Sequence, residues 1–282
     1  MPNPRQPEPI ATGFNSPEGP AFAENGELYF VNWLTSSINR LDAAGVVREV
    51  ANTGGIPAGL AFHRDGTLYC ADEGERIHGV ITIDSAGKIA PFVDSYDGKS
   101  LNGANDLVFD QNGVLYFSDP WGSSLANPIG GFYRAFPDRR VERLDRGLAF
   151  PNGCALNADD SAVFLAETGT NQIYRYDIAP NGSVGRRTLF ARLADAPGPD
   201  GMAFDAAGNL WVAHHGAGRI EVFDPGGREI DRIAIPGSQV TNVAFGGAQD
   251  DEVVVTEVAS ATVYRVRVGV KGQRLFGGWR HR

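Results

Sequence analysis

Gly198-Pro199-Asp200-Gly201-Met202-Ala203-Phe204 is one copy of a motif that occurs six times along the chain. Aligned on the apolar residue that ends each copy, the motifs close at Phe22, Phe62, Phe109, Leu156, Phe204 and Phe245. Four residues before each closing residue stand Glu18, Ala58, Asn105, Asn152, Asp200 and Thr241. Successive members of that column lie 40, 47, 47, 48 and 41 residues apart. Periods of this length belong to propeller blades or to two-helix solenoid repeats.

The pattern inside each repeat separates the two. A glycine turn follows the first apolar run, as at Asn25-Gly26, Asp65-Gly66 and Asn112-Gly113. A second apolar run comes next, at 28–31, 68–71, 115–118, 163–166, 210–213 and 253–256. A third covers 37–41, 79–83, 131–135, 172–176, 219–223 and 262–266. A weaker, more polar fourth run occupies 47–50, 90–93, 141–144, 188–191 and 232–235. No repeat carries an amphipathic helical stretch, which excludes the solenoid. Four strands that grade from apolar to polar describe a propeller blade from axis to rim. The expected fold is therefore all-β: residues 1–282 as a single six-bladed β-propeller with four antiparallel strands per blade. Two terminal segments, 9–12 and 274–277, are candidates for completing a blade.

Composition agrees. Glycine makes up 36 of 282 residues, about 13%, which suits a fold with many tight turns. The hydrophobic share of 42% is ample for a packed core. The formal charge of −9 disfavours nucleic acid and anionic membrane surfaces as partners. No apolar run approaches the roughly 20 residues of a membrane span. No hydrophobic segment follows Met1-Pro2-Asn3-Pro4-Arg5, so a cytoplasmic location is expected. Cys70 and Cys154 lie in different repeats without metal-type spacing and are expected to be reduced and buried.

In a propeller, equivalent positions of successive blades share one height and radius. The column then becomes a ring on the axis, where Glu18, Asn105, Asn152 and Asp200 converge. Two carboxylates facing each other at 4 Å repel by roughly 4 kcal/mol at an effective dielectric of 20. Either one carboxyl stays protonated or a cation sits between them. Two carboxylates and two amide oxygens form a hard, all-oxygen set. Calcium suits it best, with Zn2+, Mn2+, Mg2+ and Fe2+ as alternatives. Polar residues at strand starts also serve simply by hydrogen-bonding the neighbouring blade, so the repeat by itself leaves both roles open. The ends of the second strands surround the mouth above the ring. There Trp33, Asp119, Trp121 and His215 are candidate pocket residues for a small molecule. Asp106 follows Asn105 directly and is a candidate to orient it or to assist proton transfer.

Ser16-Pro17-Glu18-Gly19-Pro20, Gly54-Gly55-Ile56-Pro57-Ala58-Gly59, Asn105-Asp106, Phe150-Pro151-Asn152-Gly153 and Pro199-Asp200-Gly201-Met202 resemble the SMP-30/gluconolactonase/LRE-like family. The resemblance covers nearly the whole chain. It implies a six-bladed propeller with one divalent metal, usually calcium, in its central channel. It implies metal ligands at Glu18, Asn152 and Asp200, with Asn105 as a fourth, and an acid or nucleophilic role for Asp200. The implied activity is metal-dependent opening of a lactone ring, with a small lactone or ester as substrate. A diisopropylfluorophosphatase-like phosphotriesterase is the second possibility, and a non-catalytic calcium-binding propeller the third. One departure bears on substrate choice. Gluconolactonases of the family carry an arginine two residues before the Asn105 position, and here that residue is Gly103.

Overall fold

The computed structural model describes residues 5–195, 197–247 and 251–277. Each of the first five repeats becomes one four-stranded antiparallel sheet, and the sixth supplies three strands of another. Blade 1 runs Pro17–Phe22, Leu28–Asn32, Ser37–Leu41 and Val47–Asn52, from axis to rim in sequence order. Blades 2 to 5 repeat that order, with first strands Pro57–Phe62, Leu107–Phe109, Pro151–Leu156 and Pro199–Phe204. Blade 6 starts at Val240–Gly246 and continues through Glu252–Glu257 and Thr262–Arg267. The result is a six-bladed propeller.

The sixth repeat has no fourth run of its own, and Glu8–Thr12 fills the place by pairing antiparallel with Thr262–Arg267. Of the two terminal candidates, the N-terminal one closes the ring. The other, Arg274–Gly277, joins no blade. It crosses the channel's far end, where Gln273 N donates to Phe204 O at 2.9 Å and Gln273 Nε2 to Leu156 O at 3.0 Å. Phe276 packs there against His63 and Phe109, with ring centroids 5.0 and 5.5 Å away. Sequence patterning misses this role because a single plugging aromatic leaves no periodic trace.

Burial follows the gradient. Every residue of the second strand of blade 4, Ala162–Glu167, is buried, whereas its outer strand Thr188–Arg192 is largely exposed. Both faces of an inner strand meet neighbouring blades, so they read as unbroken apolar runs. The blades join through apolar clusters such as Val31, Ile38, Leu60, Cys70 and Ile81. Both cysteines are free and buried. Two single turns of 3-10 helix, Trp33–Thr35 and Thr168–Thr170, interrupt the strands at equivalent places. Among the described residues no helix is long and apolar enough to cross a membrane.

Candidate functional site

The motif column forms because the first strands bulge where it falls. Pairing between the first and second strands slips between Glu18 and Ala21, Pro57 and Leu60, Pro151 and Cys154, and Pro199 and Met202. A bulge breaks the in-out alternation and re-aims a side chain. Blade 3 differs. Its regular strand begins only at Leu107, yet Asn105 N still donates to Ser118 O at 3.1 Å.

The residue after each ring position is the contact between blades. In four copies it is glycine: Gly19, Gly59, Gly153 and Gly201. A β carbon on Gly153 would overlap the Asp200 carbonyl, and one on Gly201 the Asn242 side chain. Glycine therefore lets one blade's backbone reach the next blade's ring residue. The two exceptions in this column, Asp106 and Asn242, reach the neighbouring blade with a side chain. Asp106 Oδ2 accepts from Cys154 N at 2.9 Å. Asn242 Nδ2 donates to Glu18 Oε1 at 2.9 Å, across the closure of the ring.

The predicted ring residues come together with two further groups. Glu18 and Asp200 are half-buried, and their carboxyls are pushed well above the ordinary range by burial first. Glu18 is next raised by Asp200 and Asp106, and Asp200 by Asp106 and Glu73. Asn152 is buried, its amide nitrogen donates to Thr168 Oγ1 at 3.2 Å, and that hydroxyl donates to Pro199 O at 2.7 Å. Asn105 Nδ2 donates to Glu73 Oε1 at 2.9 Å. With both amide nitrogens engaged, the amide oxygens remain as donors for a bound group. Burial raises Glu73 to about 7 and Asp106 to about 6.

This arrangement suits a hard cation. Glu18 Oε2 is buried and has no hydrogen-bond partner among the described residues. Asp200, Asp106 and Glu73 raise the proton affinity of Glu18, and Asp106 and Glu73 that of Asp200, so positive charge at this place would relieve both. Among the described residues, no three His, Cys, Asp or Glu side chains form a ligand cluster. The set depends on the amide oxygens of Asn105 and Asn152 to complete it, which favours an oxygen-loving metal.

The four mouth candidates divide. Strand pairings such as Pro17 with Asn32 and Pro199 with His214 place the ends of the second strands beside the ring. Trp33 and Trp121 follow two such ends and are partly exposed. His215 is half-buried, and burial lowers its pKa. Its neighbour His214 is fully buried, with Nδ1 2.9 Å from Glu221 Oε1, and serves the blade. Asp119 is spent on the loop. Its carboxylate accepts from Gly103 N at 2.7 Å and Asn102 N at 3.1 Å, holding the approach to Asn105. It thus supports the site from behind and is no wall of the mouth. Gly103 sits at φ 149°, and the space a β carbon would need there is taken by Trp121 and Glu73. A β carbon there would stand 2.8 Å from Trp121 Cβ, so this loop has no room for a side chain.

Two site residues escaped the motif. Asn242 was legible as a break in the glycine column, beside Asp106. Glu73 occupies a strand end in blade 2, whose own ring position is Ala58, and only the fold brings it to Asn105.

The channel continues below the ring as a cavity of about 130 Å3. Asp106, Cys154 and Asn242 face it, all six closing residues of the motif line it, and residues 272–277 cap it. The ring residues Glu18, Asn105, Asn152 and Asp200 do not line it, so the candidate site belongs to the opposite, mouth side.

A six-bladed propeller with an acidic oxygen ring on its axis defines a class of channel-site proteins. The chain belongs to the SMP-30/Gluconolactonase/LRE-like family, whose profile matches residues 16–259. It is 29% identical over 238 residues to the gluconolactonase of Zymomonas mobilis, covering 73% of this chain and 66% of that protein. It is 29% identical over 228 residues to the diisopropyl-fluorophosphatase of Loligo vulgaris, covering 70% of this chain and 71% of that protein. The matched stretch thus spans about two thirds of these relatives. Among solved structures, the calcium-binding protein regucalcin from Agrobacterium tumefaciens superposes with a TM-score of 0.83 at 22% identity. That match covers 99% of this chain and 98% of regucalcin and shows a shared fold.

Proposed function

We propose that this chain is a metal-assisted lactonase. Glu18, Asn105, Asn152 and Asp200 hold one divalent cation, calcium by the hardness of its donors. The single observation that carries the reading is the buried, unpartnered Glu18 Oε2 within a crowd of four carboxyls. The similarity to a gluconolactonase supports the lactone as substrate.

A bound cation would supply a Lewis acid for the ester carbonyl and for the oxyanion that forms on attack. The chain's own residues do the rest. Asp200 serves as general base toward water or as the attacking group. Thr168 fixes Asn152, Glu73 fixes Asn105 and Asn242 fixes Glu18, so the ring is set before substrate arrives. Asp106 keeps negative charge beneath the ring from a position locked by Cys154 N. Trp33, Trp121 and His215 stand at the mouth.

The test is acid release from γ- and δ-lactones, read by a pH indicator. Chelated protein is compared with protein given back calcium, manganese or zinc. Turnover that follows the cation and vanishes in Asp200→Asn supports the reading. The same preparations are assayed on a fluorophosphate, because the Loligo relative is a diisopropyl-fluorophosphatase. Hydrolysis there without lactone opening replaces the lactonase by a phosphotriesterase. Tight cation binding with neither activity leaves a binding propeller.

A further inference from the structure

The loop joining the second and third strands of blade 3 is unlike its five counterparts on the mouth face. It has ten residues, 120–129, where the other blades use four or six. It is also rigidly built. Ser123 N donates to Pro120 O at 2.8 Å, Ser124 N to Asn127 O at 3.0 Å, and Asn127 Nδ2 to Gly122 O at 3.3 Å. Two ties fix it beside the ring. Asn102 Nδ2 donates to Ile129 O at 3.2 Å, three residues ahead of Asn105. Phe150 N donates to Ser123 Oγ at 3.0 Å, two residues ahead of Asn152. Whatever lies at the ring therefore has this loop next to it.

The loop contains no charged residue. The polar side chains of Ser123, Ser124 and Asn127 are used to hold it together or to anchor it. What it presents is Trp121, Leu125 and Ile129, exposed to 38, 67 and 48%. Among the described residues, the only other large apolar side chains exposed on the mouth loops are Trp33 and Leu34 of blade 1. Fixed apolar groups in water are unfavourable unless something covers them. Fixing them in advance lowers the entropy cost of covering them.

We propose that Trp121, Leu125 and Ile129 form a specificity wall that takes an alkyl or aryl substituent on the lactone ring. This rests on the lactonase reading and selects within it. A polyhydroxylated ring needs several fixed donors and acceptors, whereas the large side chains this loop exposes are apolar.

The test compares γ-butyrolactone, γ-nonalactone and glucono-δ-lactone with the cation-loaded protein. A buried methylene stabilises by about 0.8 kcal/mol, so a pentyl chain should raise kcat/KM at least roughly 30-fold over the unsubstituted ring. Leu125→Ser combined with Ile129→Ser should reduce that ratio about tenfold, and Leu125→Met should restore most of Leu125's share. Equal kcat/KM across chain lengths, or preference for the polyol, overturns the wall while leaving the lactonase standing. If no lactone turns over, the lactonase falls and the wall is judged by binding. Tryptophan fluorescence is then titrated with 5-pentyl-2-pyrrolidinone and with unsubstituted 2-pyrrolidinone. Binding at least tenfold tighter for the pentyl compound, weakened by the double variant, upholds it; equal binding overturns it. A double variant that loses a dimer in sedimentation without changing selectivity makes the loop a self-association surface and also overturns it.

Discussion

The two ends of the central channel are made by the same six strands and obey opposite rules. At the mouth end every blade but the second contributes a polar ring position, and neighbouring carboxylates raise the proton affinity of Glu18 and Asp200. At the far end, four residues further along, each strand contributes Phe22, Phe62, Phe109, Leu156, Phe204 or Phe245. There Phe276 fills the opening, and the Arg64 guanidinium lies 4.4 Å from its ring centre. One end gathers like charges whose burial opposes folding, and the other supplies apolar packing that favours it. A functional site of this kind is carried by a scaffold that is over-stabilised elsewhere.

That contrast breaks most directly under paired substitutions. Asp200→Asn should lower kcat on the best lactone by about a thousandfold or more, the scale of losing a principal catalytic group. In cation-free protein it should raise the melting temperature, because one of four crowded carboxyls is gone. Phe276→Ala should do the reverse. Urea unfolding should show a loss of about 3–5 kcal/mol for the deleted aromatic, with kcat of the folded protein retained. If Phe276→Ala instead abolishes turnover in folded protein, the two ends are coupled and the division fails.

The next effect is in pH. Burial raises Glu73 to about 7 and Asp106 to about 6. Both groups therefore hold protons more tightly in the folded than in the unfolded chain. Their stabilising contribution is whole below about pH 4 and is lost as pH rises through 6 to 7. Chelated protein should lose on the order of 3 kcal/mol per group between pH 4 and pH 8. Urea midpoints across that range measure it. Glu73→Gln should flatten the profile, and calcium added at pH 8 should restore stability. A chelated protein as stable at pH 8 as at pH 5 would contradict the burial of these two carboxyls.

The smallest effect sharpens the site itself. Asn242→Ala removes the donor to Glu18 Oε1. Support of this kind around a metal ligand is worth about 10- to 100-fold in affinity. Calorimetric titration with calcium should show roughly a tenfold weaker site and little change in fold. An unchanged affinity would demote Asn242 to a packing residue.

Much of this was legible before folding. The recurrence of Pro-Asp-Gly-Met-Ala-Phe and its relatives defines the blades, because each repeat is a unit that must bury its inner strands against the next. The ring members were legible because repetition converts sequence position into height on the axis. Glu73 was not. The repeat places it only among the acids that end the second strands around the mouth, and its bond from Asn105 Nδ2 appears only when blades 2 and 3 pack together. Asp119 was misleading in the other direction, since an acid at a strand end reads the same whether it faces a ligand or caps a loop.

The sequence by itself determined that six four-stranded units form, in which order their strands run, and which residues share a level. Those properties depend on local alternation and on a period, both of which are one-dimensional. Tertiary structure alone decided which residues face each other across the axis. Asn242 reaches Glu18 over 224 positions of chain, and the N-terminal strand completes the last blade. Such pairings exist only when the ring closes, and closure is a property of all six blades together.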